Sequence, residues 1–214
     1  MRSDPFTGRY LFHLHTTFTD GQASVQEYVE LATRSQLDRL IFLEHIRAQP
    51  GYDVGQFIAE VRRCAAAFGV PALVGFEAKV LPGGGLDIAE EHAGMAEVLG
   101  LAEHGFPGDR ELWRSSVLRA LETYAAKDGG RPLVWVHPGL WLRKQGLLEA
   151  REREYLELLG IAQDLGVKVE SNLRYGLVPG HLRDAVRPES LVFGADAHRL
   201  QDAEAAIAKL PRGW

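Results

Sequence analysis

A parallel α/β barrel is the fold this sequence predicts, and three features predict it. Short β-like apolar runs alternate with helix-like segments along all 214 residues, the pattern of an α/β fold. Six of the eight histidines, His13, His15, His45, His104, His137 and His198, stand at the C-terminal end of an apolar run. In a barrel of parallel strands those ends open on one face, and that face carries the chemistry. No repeat or low-complexity linker divides the chain, so a single domain over residues 1–214 is expected.

The elements follow in order. The first strand is expected at about residues 9–14. A helix comes next, opened by Ser24 with Glu27 three residues on, a capping-box pattern, and faced by Val25, Tyr28, Val29 and Ala32. Residues 40–43 form the second strand. From about Val54 to Phe68, Ile58, Val61, Ala65 and Phe68 recur at helical spacing. Cys64 shares that stripe and reads as a small core residue. Pro71 starts a third strand over residues 72–76.

Pro82–Gly85 is a loop, and it lacks the Lys-Ser/Thr of a phosphate loop. A short helix near residues 90–95 and a strand at 98–102 follow. Asp109 then caps a helix through about Ala126. Residues 133–136 are the clearest buried strand. A charged amphipathic helix over about 148–165 ends at Gly166, and its charges read as a solvated face. A strand at 167–170, a short helix near 180–186, a strand at 191–193 and a helix capped by Asp202 through about Lys209 complete the chain.

Composition excludes several function classes. Of all residues 46% are hydrophobic and 25% charged, ordinary for a globular protein. The net charge of −5 provides no global basic surface for nucleic acid or an acidic membrane. One cysteine allows no intrachain disulfide and fits a cytoplasmic protein. Residues 1–5 carry no apolar signal-peptide core, and no run reaches the roughly 20 apolar residues of a membrane span.

The polar residues at the strand ends carry the chemistry. His13 and His15 are two apart, so a strand aims both imidazoles to one face, and Asp20 in the loop beyond can add an oxygen. His45 follows the second strand in Glu44-His45, Glu77 the third, and His104 the fourth. His137 follows the fifth, and Asp196 and His198 follow the last. A lone histidine after a strand is more often a loop or core residue, and His104 by itself is balanced between the two readings. The repeated spacing of His13-x-His15 and Asp196-x-His198 favours metal. Six imidazoles and three carboxylates suit Zn, Mn or Fe and exceed the needs of one ion, so two or three ions are expected. His92 and His181 read as surface or helix histidines.

Taken together these residues resemble a known family. His13-Leu14-His15-Thr16 with Asp20-Gly21, Glu44-His45, Gly75-x-Glu77, His104, His137-Pro138 and Gly194-Ala195-Asp196-Ala197-His198 are similar to the motifs of the PHP (polymerase and histidinol phosphatase) domain, in the family's order. The resemblance implies a distorted (β/α)7, TIM-like barrel with a trinuclear metal centre at the C-terminal strand ends. It implies that His13, His15, Glu77 and Asp196 hold one ion and that Glu77 bridges to a second held by His104 and His137. Asp20, His45 and His198 would contribute to a third. Glu44 stands where the family often has Asp, and Ala195 where it often has Ser. Glu170-Ser171-Asn172 resembles a segment lining the site, with Asn172 able to hydrogen-bond substrate or a ligand.

The function expected is metal-dependent phosphoester hydrolysis, with a small phosphorylated substrate such as a histidinol phosphate-like molecule or a nucleotide. Arg199 beside His198 and Arg47 near His45 are the expected cations for the phosphate, with Lys79 and Arg174 behind them, and His198 is an option for the general acid. Two other readings are a hydrolase directed at phosphodiesters or nucleic-acid ends, and a non-catalytic metal-binding interaction domain.

Overall fold

The computed structural model describes residues 4–127 and 130–210. Its strands are β1 (Tyr10–Leu14), β2 (Arg39–Phe42), β3 (Glu44–Ile46), β4 (Ala72–Leu73), β5 (Gly75–Lys79), β6 (Val98–Ala102), β7 (Leu133–Trp135), β8 (Lys168–Asn172) and β9 (Leu191–Ala197). Its helices are α1 (Val25–Arg34), α2 (Val54–Phe68), α3 (Glu90–Met95), α4 (Arg110–Lys127), α5 (Leu140–Lys144), α6 (Glu152–Asp164) and α7 (Leu200–Ile207), with 3-10 turns at Gly180–Ala185 and Pro188–Ser190.

Among the described residues the nine strands form one parallel sheet in the order β3-β5-β6-β7-β8-β9-β1-β2-β4. Two chain runs are each broken by one residue, Leu43 between β2 and β3 and Val74 between β4 and β5. β2 pairs with β4 and β3 pairs with β5, so these four pieces fill two strand positions. Counted by position there are seven, the number of runs expected, and the hydrogen-bonded path returns on itself as a barrel-like sheet.

Both faces of the sheet are buried, which is why the strands read as near-continuous apolar runs. Tyr10, Phe12, Ile41, Leu43, Val98, Ala102, Val134, Val136 and Val192 pack into one cluster. Their neighbours Leu11, Leu40, Phe42, Leu99, Leu101, Leu133 and Trp135 belong to a second cluster that includes the helices. The alternation of period two assigns the first set to the barrel interior and the second to the strand–helix layer. This packed interior closes the barrel below the strand ends.

Local signals set the helices. Ser24 accepts from the Glu27 N–H at 3.2 Å, and the Glu27 carboxylate accepts from the Ser24 N–H at 2.8 Å, completing the capping box of α1. Asp53 caps α2 through the Gln56 N–H at 2.9 Å, and Asp109 accepts from the Leu112 N–H at 2.9 Å at the start of α4.

Four expectations need correction. The buried stripe of α2 is Val54, Phe57, Val61 and Cys64, and Phe68 is exposed. The helix expected over 148–165 begins at Glu152, and α5 precedes it. The last helix starts after Arg199, with Asp202 in its first turn accepting from the Arg199 N–H at 3.1 Å. The third strand continues past Phe76 to Lys79, which places Glu77 within β5.

Candidate metal centre

Sequence spacing alone does not explain how His13 and His15 share a face. Phe12 points into the barrel and Leu14 into the helix layer, although they are two residues apart. The register of β1 shifts between them against both neighbouring strands, and His13 has φ +69°. A one-residue bulge at His13 therefore inverts the alternation. A regular strand with Phe12 inward would have turned His13 outward. The bulge brings His13 Nε2 to 3.3 Å and His15 Nε2 to 3.5 Å from Glu77 Oε2.

Glu77 is the hub. Its Oε2 also lies 3.1 Å from His45 Nδ1, and its Oε1 lies 3.4 Å from His104 Nδ1 and 3.0 Å from His137 Nε2. Two ligand atoms that each sit about 2.1 Å from one ion at a tetrahedral angle are about 3.4 Å apart. The contacts around Glu77 match that separation. His15 reaches 3.8 Å from Asp196 Oδ1. At the mouth, Asp20 Oδ1 lies 3.4 Å from His45 Nε2 and 3.5 Å from His198 Nε2.

Four groups among the described residues have atoms close enough to hold an ion. They are His13 with His15 and Glu77; His13 with His137 and Asp196; Glu77 with His104 and His137; and His15 with Asp20, His45 and His198. All nine sequence-predicted ligands are thus brought together. The partition differs from the one the resemblance implied. Asp196 groups with His13 and His137, and His15 also joins the Asp20 set.

Unsatisfied atoms fit a divalent ion. His15 is fully buried, yet neither ring nitrogen makes a hydrogen bond, and His104 Nδ1 makes none. Leaving such groups unmade costs about 1–3 kcal/mol each. Burial and the neighbouring imidazoles push His15 well below the usual histidine range, and burial pushes His104 down to about 3. Both present neutral lone pairs. His45 goes the other way: burial opposes its charge, but Glu77 and Asp20 outweigh that and raise it to about 10. Glu77 is held well below the carboxylate range because the surrounding histidines outweigh its burial. A pocket that keeps protons this way is one a cation can occupy by displacing them.

The backbone around the site is strained. His13, His137 and Asp196 have φ of +69°, +31° and +50°. Such values are uncommon without glycine and cost of order 1–3 kcal/mol each.

Buried carboxylates support the histidines, and sequence reasoning missed their roles. Glu44 accepts from the Thr16 N–H at 2.6 Å and from the Thr16 and Thr19 hydroxyls, so it ties down the loop that carries Asp20. Gly21 closes that loop, where a Cβ would come 2.7 Å from Thr16 N. Glu103, the residue before His104, accepts from the Trp141 N–H at 2.9 Å, and burial lifts it to about 7. Glu170 accepts from His13 Nδ1 at 2.6 Å. For Glu44 and Glu103 the signal in the sequence was a carboxylate directly before a candidate ligand, His45 or His104. Asn172 donates to Asp196 Oδ2 at 3.2 Å, so it holds a candidate ligand.

The two expected cations have other partners: Arg47 pairs with Asp87 at 3.5 Å, and Arg199 pairs with Asp202 at 2.8 Å while lining the cavity beside the cluster. Arg174 reaches the cluster itself. Its Nη1 donates to the Asp196 carbonyl at 3.2 Å, lies 3.6 Å from Asp196 Oδ1 and touches His198 Nδ1. A cavity of 530 Å³ opens beside it, lined among others by Asp20, Leu173, His198, Arg199 and Lys209. His92 lies 3.6 Å from Glu91 and His181 pairs with Glu152 at 3.0 Å, and neither belongs to a group able to hold an ion among the described residues.

No protein-family profile matches the chain, and no curated protein matches it. Solved structures do. A two-domain protein from Bacteroides vulgatus, containing a predicted PHP-like metal-dependent phosphoesterase, superposes with a TM-score of 0.52 at 19% identity, over 91% of this chain and 53% of that one. A phosphotriesterase homology protein from Escherichia coli, complexed with phosphate in its active site, gives 0.49 at 16% identity over 95% and 86% of the two chains. The YdjI aldolase from Escherichia coli K12 gives 0.46 at 10% identity over 94% and 79%. This chain spans about half the length of the first. At 19% identity that likeness shows the fold alone, an α/β barrel-like fold.

Proposed function

We propose that this chain is a metal-dependent phosphoesterase acting on the phosphomonoester of a small molecule. The observation that carries the reading is the shared carboxylate of Glu77, with one oxygen toward His13, His15 and His45 and the other toward His104 and His137. Ligand sets that share a residue put ions a few ångströms apart, the spacing of two-metal phosphoryl transfer. Bound there, Zn, Mn or Fe would polarise the phosphoryl oxygens and acidify water.

The residues divide the remaining work. His13, His15, Glu77, His104, His137 and Asp196 would hold the deeper ions, and Asp20, His45 and His198 a third with His15. Arg174 supplies the fixed positive charge for the phosphate oxygens. His198 stands between Arg174 and Asp20 beside the cavity, with Nδ1 against Arg174 and Nε2 toward Asp20, so as a ligand of the third ion it would have no nitrogen left for a leaving-group proton. A cavity of 530 Å³ suits the body of a small substrate, and the net charge of −5 disfavours a long polyanion.

The test is turnover of a substrate panel by protein stripped with a chelator and reloaded separately with Zn, Mn or Fe(II). The panel contains histidinol phosphate, 5′-nucleotides, phosphotyrosine and phosphodiesters. Metal-dependent hydrolysis of monoesters, lost on chelation, is expected. Faster hydrolysis of diesters would move the function to the diester reading. Bound metal with no turnover across the panel would leave a binding domain instead of an enzyme.

A further inference from the structure

Glu170 lies fully buried inside the barrel and belongs to none of the four groups able to hold an ion. Its carboxylate is tied to every member of one of them. Oε1 accepts from His13 Nδ1 at 2.6 Å. Oε2 accepts from the His137 backbone N–H at 2.5 Å and from Asn172 Nδ2 at 3.1 Å. Asn172 Nδ2 also reaches Asp196 Oδ2 at 3.2 Å, and its Oδ1 is held by the Tyr175 N–H at 2.9 Å. His13, His137 and Asp196 are also the three cluster residues with positive φ.

These two facts have one explanation. Backbone conformations of this kind persist only where surrounding contacts over-determine them. A carboxylate only accepts, so Glu170 fixes the proton of His13 on Nδ1 and leaves Nε2 free toward Glu77. The fold reserves space for the carboxylate. A Cβ on Gly194 of β9 would overlap it and come 2.7 Å from its Cγ, although Gly194 has no positive φ of its own to require glycine.

We infer that Glu170, extended by Asn172, is a positioning residue that brackets His13, His137 and Asp196 and holds their strained backbones so that their ligand atoms converge. The inference rests on the metal centre of the proposed function and not on its substrate. The Asp20, His45 and His198 side of the mouth is one step removed from Glu170 and Asn172, joined to them through Asp196, whose Oδ1 lies 3.5 Å from His198 Nδ1.

The experiment is Zn²⁺ titration of chelator-stripped full-length protein in competition with a chromophoric chelator, with the melting temperature of each metal-free protein measured in parallel. Glu170→Gln keeps the shape of the side chain and replaces one acceptor with a donor. Gly194→Ala keeps Glu170 and displaces its carboxylate. Each should weaken part of the bound Zn²⁺ by roughly 10–100-fold, the usual effect of removing a ligand's hydrogen-bond partner, and weaken the remaining Zn²⁺ less. Asp20→Asn should weaken the complementary part. Unchanged Zn²⁺ binding in both variants overturns the inference, and so does equal loss at every site. If Glu170→Gln does not fold, Gly194→Ala decides. Metal-free forms of both that fail to fold would show a purely structural role and overturn it as well. Wild-type protein that binds no Zn²⁺ would instead remove the metal centre itself.

Discussion

The floor and the rim of the barrel mouth hold ligands in different ways. On the floor, His13, Glu77, His137 and Asp196 are almost wholly buried, and three of the four have backbones in the left-handed region. His13, His137 and Asp196 are backed by Glu170 and Asn172 on β8. On the rim, the side chain of Asp20 is 59% exposed, that of His45 25% and that of His198 19%. Asp20 reaches the site from a loop pinned by Glu44. The floor is preorganised by packing and hydrogen bonds, whereas the rim depends on a loop that water reaches. An ion on the floor should therefore exchange slowly and one on the rim readily.

Glu77 belongs to both regions, and its removal should have the largest effect. Glu77→Gln should cost more than about 100-fold in turnover, beyond the range for lost supporting residues, and release more than one ion per chain by elemental analysis. Retention of every ion would break the bridging role. Next comes Arg174. Truncating a donor to a charged group costs about 1.5–3 kcal/mol, so Arg174→Ala should raise KM for a phosphomonoester by about 10–100-fold. Arg199→Ala should raise it less, because Arg199 lines the cavity but is paired with Asp202. Equal effects of the two would make Arg199 a phosphate cation of the same rank.

Asp20→Asn sharpens the comparison itself. It should weaken the rim ion by about 10-fold and leave the floor ions in place. The smallest effect is expected far from the mouth. Ser24→Ala removes the α1 cap and should cost about 1 kcal/mol of stability, seen as a lower Tm, without altering metal content.

The floor and the rim were unequally legible in the sequence. The seven strand runs were visible because both faces of each strand are apolar, and the histidines marked the ends of those runs. The break of two runs into four short strands left no hydrophobic signature, since Leu43 and Val74 are as apolar as their neighbours. The bulge at His13 was hidden for a different reason. Regular alternation makes the same statement about His13 and His15, but the inward position of Phe12 emerges only from the packed barrel. Arg174 was ranked behind Arg199 and Arg47 because proximity in sequence stood in for proximity in space. Which carboxylate holds a guanidinium is decided by long-range packing, as Asp87 with Arg47 shows. Glu170 was seen as part of a lining segment, but its partners lie 33 and 157 residues away.

The most direct test of the account is the amount of metal that remains bound as Zn²⁺-loaded protein is dialysed against rising chelator. Two or three ions per chain at the start, lost in two separate steps with the rim ion first, is the result the account predicts. Loss of all bound metal in a single step, or less than one ion per chain at the outset, would contradict it.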